Sequence, residues 1–165
     1  MERTQAVSLV PSQDEEWARR FATLASWLGS VVPGARLEHI GSTAVPDLPA
    51  KDVVDVLVGV DGPAVAPTAR LLAAAGLDLE GELAHHCWLS SPDRHDRAYV
   101  VHVVEHGGRA WNRRVAFRDL LRRDDSARRV YLDAKQHAAR TTQGWDEYTR
   151  SKAVVVAGLL ADHSP

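Results

Sequence analysis

The sequence predicts a mixed α/β fold of the α+β kind, in which a β-sheet is flanked by helices and the last third is helical. Three observations carry this prediction. Segments typical of strands occur before residue 106, segments with helical spacing interrupt them, and the segments after Gly107-Gly108 show helical spacing. A sheet with helices packed against it accommodates such an order. The length of 165 residues fits one domain, 1–165.

The first two elements are a short strand and a helix. The apolar run 6–10 ends at Pro11 and is typical of a strand. Asp14 can cap a helix over 15–28, in which apolar side chains recur at helical spacing. Gly29 and the Pro33-Gly34 pair end this helix.

Two further strands enclose an irregular segment. A strand is predicted over 36–40, and the strongly β-branched segment 52–60 is typical of a buried central strand. Between them, residues 41–50 contain glycine, serine, threonine and two prolines, which exclude regular structure.

The middle of the chain predicts a helix and three strands. The helix opens at Gly62-Pro63 and ends before Gly76. Segments 77–84 and 86–90 form a predicted hairpin, residues 91–96 a polar turn, and the valine-rich segment 97–105 a strand.

The remaining segments show helical spacing. We predict three helices, over 109–123, 126–139 and 145–160. We expect these helices to close one side of the sheet, because the apolar face of a sheet must pack against another element.

Composition restricts the class of protein. Apolar residues make up 45% and charged residues 25%, and the formal net charge is −2 with both signs interleaved, so we expect no nucleic-acid partner. The single cysteine, Cys87, predicts a reducing compartment and is interpreted as a buried small hydrophobe. No signal peptide and no apolar run of bilayer length is evident, so we expect a cytoplasmic protein without a membrane partner.

The segment 39–55 carries the chemistry. A Gly41-Ser42 turn after a strand lets backbone N–H groups and a hydroxyl approach a phosphate. Asp55 on the neighbouring strand could hold Mg²⁺, which bridges carboxylates and substrate phosphates. Asp55 lies in an apolar run, where an unpaired carboxylate is costly, so a partner is required. Lys51 precedes that strand and could balance phosphate charge.

These motifs resemble the signature of the GrpB family, also called UPF0157, which is similar in fold to the nucleotidyltransferase superfamily. The resemblance rests on residues 39–46, Leu48, 50–51 and 54–56, and extends to 7–11, Trp17, 102–105, Trp111, 117–119, 121–122, Tyr131, Lys135, Tyr148 and Lys152. It implies a nucleotidyltransferase-like mixed sheet, a nucleotide or phosphorylated small molecule as substrate, and transferase chemistry.

The chain departs from the pattern that the resemblance implies. Nucleotidyltransferases carry two carboxylates in this strand, but Leu57 stands at the second position, on the same face as Asp55. Asp52 cannot substitute, because its parity puts it on the opposite face. Relatives commonly have glycine and proline where this chain has Asp47 and Asp52. Two alternatives therefore remain open: the site binds one Mg²⁺ through Asp55 and the substrate phosphates, or it binds no metal.

Other polar residues are candidates for the same site. Catalytic roles are considered for His39, which precedes the turn, and His102, inside a strand, although either histidine could instead be structural. Thr43 is a further candidate for phosphate contact. Arg118, Lys135 and Lys152 match the helical part of the family pattern and could supply cations to a cleft facing Asp55, although helical cations are usually solvated. Tyr148 shares a helix face with Lys152. One of the five tryptophans could stack on a base.

Three functions remain open from the sequence. The first is a nucleotidyltransferase-type enzyme in which Asp55 holds Mg²⁺, the turn holds phosphate and Lys51 neutralises charge. The second is an enzyme of a specialised small-molecule pathway that uses His39 and His102 for acid–base chemistry. The third is a non-catalytic binding or folding module, by analogy with relatives fused to dephospho-coenzyme A kinase.

Overall fold

A computed structural model describes residues 7–163 of the chain. Strands and helices of this part follow one another as α1 (Asp14–Val31), β1 (Arg36–Ile40), β2 (Val54–Val60), α2 (Val65–Ala74), β3 (Asp78–Leu83), β4 (His86–Asp93), β5 (Asp96–Glu105), α3 (Arg109–Arg123), α4 (Asp125–Thr141) and α5 (Trp145–Asp162). Short 3₁₀ turns cover Ser42–Ala44 and Gly62–Ala64. The predicted mixed sheet and helical last third are confirmed.

The five strands form one sheet in the order β1-β2-β5-β4-β3. β2 and β5 pair in parallel at the centre, and the outer pairs are antiparallel. The parallel pair is connected through α2 and the β3–β4 hairpin, so the chain leaves the sheet centre and returns to it. This connection places β5 beside the strand that carries Asp55.

Successive residues of β2 point to opposite faces of the sheet. The even-numbered residues of 54–58 are fully buried valines in the main hydrophobic cluster, which includes Trp17 of α1 and Leu72 of α2. The odd-numbered residues of 55–59 point to the other face, which we call the α3 face because Trp111 of α3 packs on it. One face of the sheet is thus core, and the other supports the site.

Trp111 closes one end of the α3 face. Its ring packs with Leu57, Ile40 and Val104, and a Cβ on Gly59 would lie 2.6 Å from it. Leu57 is fully buried beneath this cover. The position at which the family resemblance implies a second carboxylate is therefore part of a small apolar core.

The C-terminal helices pack on one another and on the segment after β1. Their shared cluster contains Leu120 and Leu121 of α3, Tyr131 of α4 and Leu159 of α5, against Val45 and Leu48. This packing fixes α4 and α5 over the α3 face, because Val45 and Leu48 continue directly from the Gly41-Ser42 turn.

Three sequence predictions need correction. The first helix is not capped by Asp14 and does not end at Gly29, because Asp14 is already helical, no side chain caps the helix, and α1 continues to Val31. The predicted polar turn 91–96 is wrong, because β4 continues to Asp93 and β5 begins at Asp96, so only two residues turn. The Asp93 carboxylate accepts hydrogen bonds from the N–H groups of His95 and Asp96, which makes this tight turn stable. The predicted strand 6–10 begins outside the described residues, and within them only Val10 pairs, as a single bridge to Ala50.

Asp47 and Asp52, the two departures from the family pattern, have structural roles. Asp47 has a φ of 61°, a conformation that favours glycine, and its N–H donates to the Asp14 carboxylate. Asp52 accepts from the Trp17 indole at 2.9 Å and from Arg20 at 2.6 Å. It therefore binds to α1 on the opposite side from Asp55, as its parity predicts.

No helix among residues 7–163 combines the length and the apolar character that crossing a bilayer requires.

Candidate functional site

A cavity of about 800 Å³ lies between the α3 face, the Gly41–Thr43 segment and the C-terminal helices. Its floor is formed by strand residues on that face, and α5 forms the opposite wall. Its lining includes most of the predicted site residues: Gly41, Ser42, Thr43, Lys51, Asp55, His102, Lys135 and Lys152.

Gly41 brings the turn into contact with Asp55. Its backbone has φ 74° and ψ −173°, a combination almost confined to glycine. A Cβ at this position would lie 2.7 Å from Oδ2 of Asp55. The missing side chain thus allows both the conformation and the close approach of the carboxylate.

Asp55 has one direct side-chain partner among the described residues. Nε2 of His102 lies 3.4 Å from Oδ1 of Asp55. Burial raises the pKa of Asp55. The hydrogen bond with His102 and the charges of His102, Lys51 and Lys152 together lower this pKa by a larger amount, so it lies below its usual value. Asp55 is therefore ionised at neutral pH, and its charge faces cations.

Two histidines extend this contact across the sheet. Nδ1 of His102 lies 3.1 Å from Nε2 of His86, and a guanidinium nitrogen of Arg114 lies 3.5 Å from the same His86 atom. Burial, followed by the charges of His102 and Arg114, lowers the pKa of His86 to about 3. His86 is hence a neutral acceptor at pH 7, and the row Asp55–His102–His86 can carry a proton along its hydrogen bonds.

All three lysines of the chain line this one cavity. The sequence has twenty lysines and arginines, and all of them except Lys51, Lys135 and Lys152 are arginines. These three lysines all line the cavity. Nζ of Lys51 lies 3.3 Å from the ring centre of Trp145 and 4.7 Å from that of Tyr148, and Nζ of Lys152 lies 4.4 Å from Tyr148. Aromatic faces attract such cations, which holds the amines close together.

Lys135 is the most enclosed of the three. It is only 1% exposed, and its Nζ donates to the Pro49 carbonyl at 2.7 Å. Burial, then the charges of Lys152 and Lys51, lowers its pKa to about 6. Burial, then the charge of Lys152, likewise lowers the pKa of Lys51 to about 7. The cavity therefore holds amines that lose protons near neutral pH.

These pKa values predict how stability depends on pH. Between about pH 7 and 10 the unfolded chain keeps protons on Lys51 and Lys135 that the folded chain lacks, so the free energy of unfolding should rise with pH. For a single lysine the slope is on the order of 1 kcal/mol per pH unit. Urea unfolding of the wild type and Lys51→Met at pH 7, 8 and 9 measures it.

The variant should show a flatter profile than the wild type, because one of the titrating amines is removed. Arg123→Met, an exposed charge at the end of α3, is the matched control and should keep the wild-type slope. Identical slopes for Lys51→Met and the wild type would contradict the assigned proton loss.

Tyr148 has an unused donor in the same wall. The side chain is fully buried, and its hydroxyl has no hydrogen-bond partner within residues 7–163. Burial raises its pKa above the usual value, so the hydroxyl stays protonated. A buried donor without an acceptor is costly, so this hydroxyl lowers the stability of the wall.

His39 and Arg118 are not brought into the cavity. His39 pairs in register with Val56, so it lies on the face opposite Asp55, where its ring stacks on Phe21 at 4.9 Å. Its Nε2 lies 2.9 Å from the Thr43 hydroxyl, which makes it a support for the turn. Arg118 is buried in an ion pair with Glu38 at 2.6 Å and another with Asp119 at 2.9 Å.

Several lining residues have no counterpart among the predicted site residues. They are Glu80, His86, Trp88, Arg97, Arg114, Tyr131, Trp145 and Tyr148. His86 and Trp88 alternate along β4 in register with Val104 and His102, so strand parity could have found them once the pairing was known.

The residues present do not fit a pair of metal ions. No three histidine, cysteine, aspartate or glutamate side chains of the described part converge as a metal site. Asp55 faces His102, and Leu57 is buried under Trp111 where a second carboxylate would be needed. No step proposed below depends on a metal.

The comparison with known families agrees with the resemblance seen in the sequence. Residues 6–162 match the family described as GrpB protein. The chain belongs to the GrpB family. This GrpB chain is also 44% identical over 159 residues to a UPF0157 protein of Deinococcus radiodurans, a match that covers 96% of this chain and 83% of that protein.

A second relative is longer than this chain. A UPF0157 protein of Pseudomonas aeruginosa is 33% identical over 170 residues, which cover 93% of this GrpB chain and 66% of the relative. The chain therefore spans about two thirds of that protein.

Solved structures share the fold. A GrpB protein from Enterococcus faecalis superposes with a TM-score of 0.78 at 25% identity, over 94% of this chain and 99% of that one. A cytoplasmic RNA terminal U-transferase superposes with a TM-score of 0.53 at 18% identity, over 79% of this chain and 43% of that one. The second likeness shows that this GrpB chain has a nucleotidyltransferase-like fold.

Proposed function

We propose that this GrpB protein binds a phosphorylated small molecule, such as a nucleotide, with its phosphates between the Gly41-Ser42 turn and the three lysines. The observation that carries the proposal is that every lysine of the chain lines one cavity. Like charges in one cavity repel one another, and burial lowers the pKa of Lys51 and Lys135, so the arrangement is costly in the free protein. A polyanion removes this cost by pairing with each amine.

The chemistry of lysine supports the same ligand. Ammonium groups are compact point charges with three donors, which suit phosphate oxygens that approach from different directions. The backbone of the turn adds N–H groups, because Gly41 permits a conformation with close approach.

For the reaction we propose nucleotidyl transfer or a related phosphate-centred step. The lysines would stabilise negative charge that develops on the transferred group, which in low dielectric is a large effect. The shared fold with a terminal U-transferase supports a nucleotide as the transferred molecule. The predicted Mg²⁺ at Asp55 stays a prediction, and the single carboxylate leads us to expect binding without it.

Calorimetry tests this proposal directly. Inorganic tripolyphosphate and ATP should each bind in EDTA, and Lys152→Met should weaken both by about 10- to 100-fold, because one charged hydrogen bond is lost. Affinity should fall as the pH rises from 7 to 9, since neutral amines no longer attract phosphate. Arg123→Met, which removes one exposed charge elsewhere, should keep wild-type affinity.

Three results would count against the proposal. If neither tripolyphosphate nor ATP binds, with or without Mg²⁺, the proposed function is wrong. Equal losses in Lys152→Met and Arg123→Met would reduce the effect to net charge. Binding only when Mg²⁺ is added, and its loss in Asp55→Asn, would instead support the metal-dependent function predicted from the sequence.

A second function is favoured by the row Asp55–His102–His86. Its contacts of 3.4 and 3.1 Å provide a proton path beside the lysines, as acid–base chemistry on a bound ligand requires. Phosphorus and proton NMR spectra of a nucleotide incubated with the protein together separate the cases. Transfer changes the phosphate signals, acid–base chemistry elsewhere changes only other signals, and a pure binding module leaves every signal chemically unchanged.

A further inference from the structure

We propose that the ligand carries an aromatic base that stacks on Trp88, so that the cavity selects nucleoside polyphosphates over other phosphorylated molecules. This inference rests on the proposed function and adds the second end of the ligand. It is carried by the position of Trp88 at the far side of the cavity from the turn.

The indole of Trp88 lies flat on the neighbouring strand. Trp88 pairs with Gly81 of β3, and a Cβ on Gly81 would lie within 2.0 to 2.3 Å of three adjacent ring atoms. A point so nearly equidistant from three neighbouring atoms lies over the ring and not beside its edge. One indole face therefore covers Gly81, and the other points away from the sheet, to the side on which the cavity lies.

The other tryptophans are less suited to hold a base. Trp17 is fully buried and Trp27 packs against the same core, on the opposite face of the sheet. Trp111 covers Leu57 and Gly59. Trp145 lines the cavity, but Lys51 lies 3.3 Å and Arg97 4.5 Å from its ring centre.

The surroundings of Trp88 differ from those of the lysines. Leu83 lines the cavity on this side, and the neutral ring of His86 lies 5.1 Å from the indole. The carboxylate of Glu80 is paired with Arg97 through both oxygens. The Trp88 end of the cavity thus combines aromatic and apolar side chains with the guanidinium of Arg114, which contacts His86, and the other end holds the lysines.

The register of the strands gives the distance between Trp88 at one end of the cavity and Asp55 at the other. Trp88 is beside His102, and His102 is beside Leu57, so two strand spacings separate Trp88 from β2. Asp55 lies two residues further along β2. With about 4.8 Å between strands and about 3.3 Å per residue, the two positions are about 12 Å apart. A nucleoside with a chain of two or three phosphates has this length.

Stacking on a single ring face tolerates different bases, because every base has an aromatic face. The carboxylate of Glu80 is held in its ion pair with Arg97, so it is not positioned by the cavity to select one base edge. We therefore expect ATP, GTP and UTP all to bind more tightly than inorganic tripolyphosphate.

Calorimetry with ATP and tripolyphosphate on four proteins tests the inference. Trp88→Ala should weaken ATP binding by about 10- to 100-fold and leave tripolyphosphate binding unchanged, because only the base loses its contact. Trp88→Phe should keep most of the affinity for ATP. Trp27→Ala, the same truncation on the opposite face, should bind both ligands as the wild type does.

The outcomes are separable from those of the proposed function. If tripolyphosphate binds the wild type as tightly as ATP does, or if Trp88→Ala weakens both ligands equally, the base-stacking inference is overturned and phosphate binding stands. If the wild type binds neither ligand, both proposals fail. Retained tripolyphosphate binding in Trp88→Ala also shows that this variant folds.

Discussion

Replacing Leu57 with aspartate is expected to destabilise the protein by about 5 kcal/mol, although it restores the residue type that nucleotidyltransferases carry at this position. Leu57 is fully buried between Ile40, Val104 and Trp111. The change removes their packing partner and puts a carboxylate into an apolar cluster. Since typical domains are stable by 5–15 kcal/mol, most of the stability should be lost. Urea unfolding at pH 7 measures the effect.

Two further substitutions separate the causes. Leu57→Met conserves volume and should cost less than about 1.5 kcal/mol. Leu57→Asn introduces polarity without charge, so its difference from Leu57→Asp reports the buried charge, and that difference should shrink at acidic pH as the carboxylate protonates. If Mg²⁺ restored the stability of Leu57→Asp, the position would be a latent metal site and our interpretation of Trp111 as a permanent cover would be wrong.

Gly41→Ala is expected to produce the second largest effect, a loss of about 3 kcal/mol in stability together with the loss of ligand binding. The backbone of Gly41 lies in a region almost confined to glycine, and the new methyl group would lie 2.7 Å from Oδ2 of Asp55. Either the turn or the carboxylate must move. Because the turn lines the cavity, its displacement should remove backbone N–H contacts to phosphate. The loss of two such hydrogen bonds, at about tenfold each, should weaken phosphate binding by about 100-fold. Unfolding and calorimetry measure the two losses.

Gly34→Ala provides the control for backbone strain. Gly34 has a φ of 85°, and a Cβ there would meet no atom within 4 Å. Its cost should be about 1–2 kcal/mol, the usual penalty of a left-handed conformation, with no change in ligand affinity. Equal behaviour of the two variants would mean that the contact with Asp55 has no consequence.

The sequence predicted much of the fold because its signals were local. Periodicity located the helices and strands to within a few residues, and β-branched content identified β2 as central. The error at 91–96 has a physical reason. A hairpin that projects into solvent tolerates polar residues in extended conformation, so polarity alone does not indicate a turn there.

The candidate site was less predictable because it depends on strand pairing. Asp55 and Lys51 could be placed from their own strand, but the contact of Asp55 with His102 exists only because β2 and β5 are adjacent and parallel. His39 precedes the turn in sequence and yet faces α1, since its register with Val56 decides its side. Arg118 lies on the expected helix, but its guanidinium is held in an ion pair with Glu38 and does not line the cavity.

The confinement of lysine to one cavity also makes amine labelling specific for that cavity, with the enclosed amine of Lys135 the slowest to react. Reductive methylation with ¹³C-formaldehyde modifies primary amines and leaves guanidinium groups untouched. Apart from the α-amine of Met1, every methyl signal would then come from Lys51, Lys135 or Lys152. Three resonances would report on the whole cavity, and arginine at every other basic position keeps the rest of the molecule silent in that spectrum.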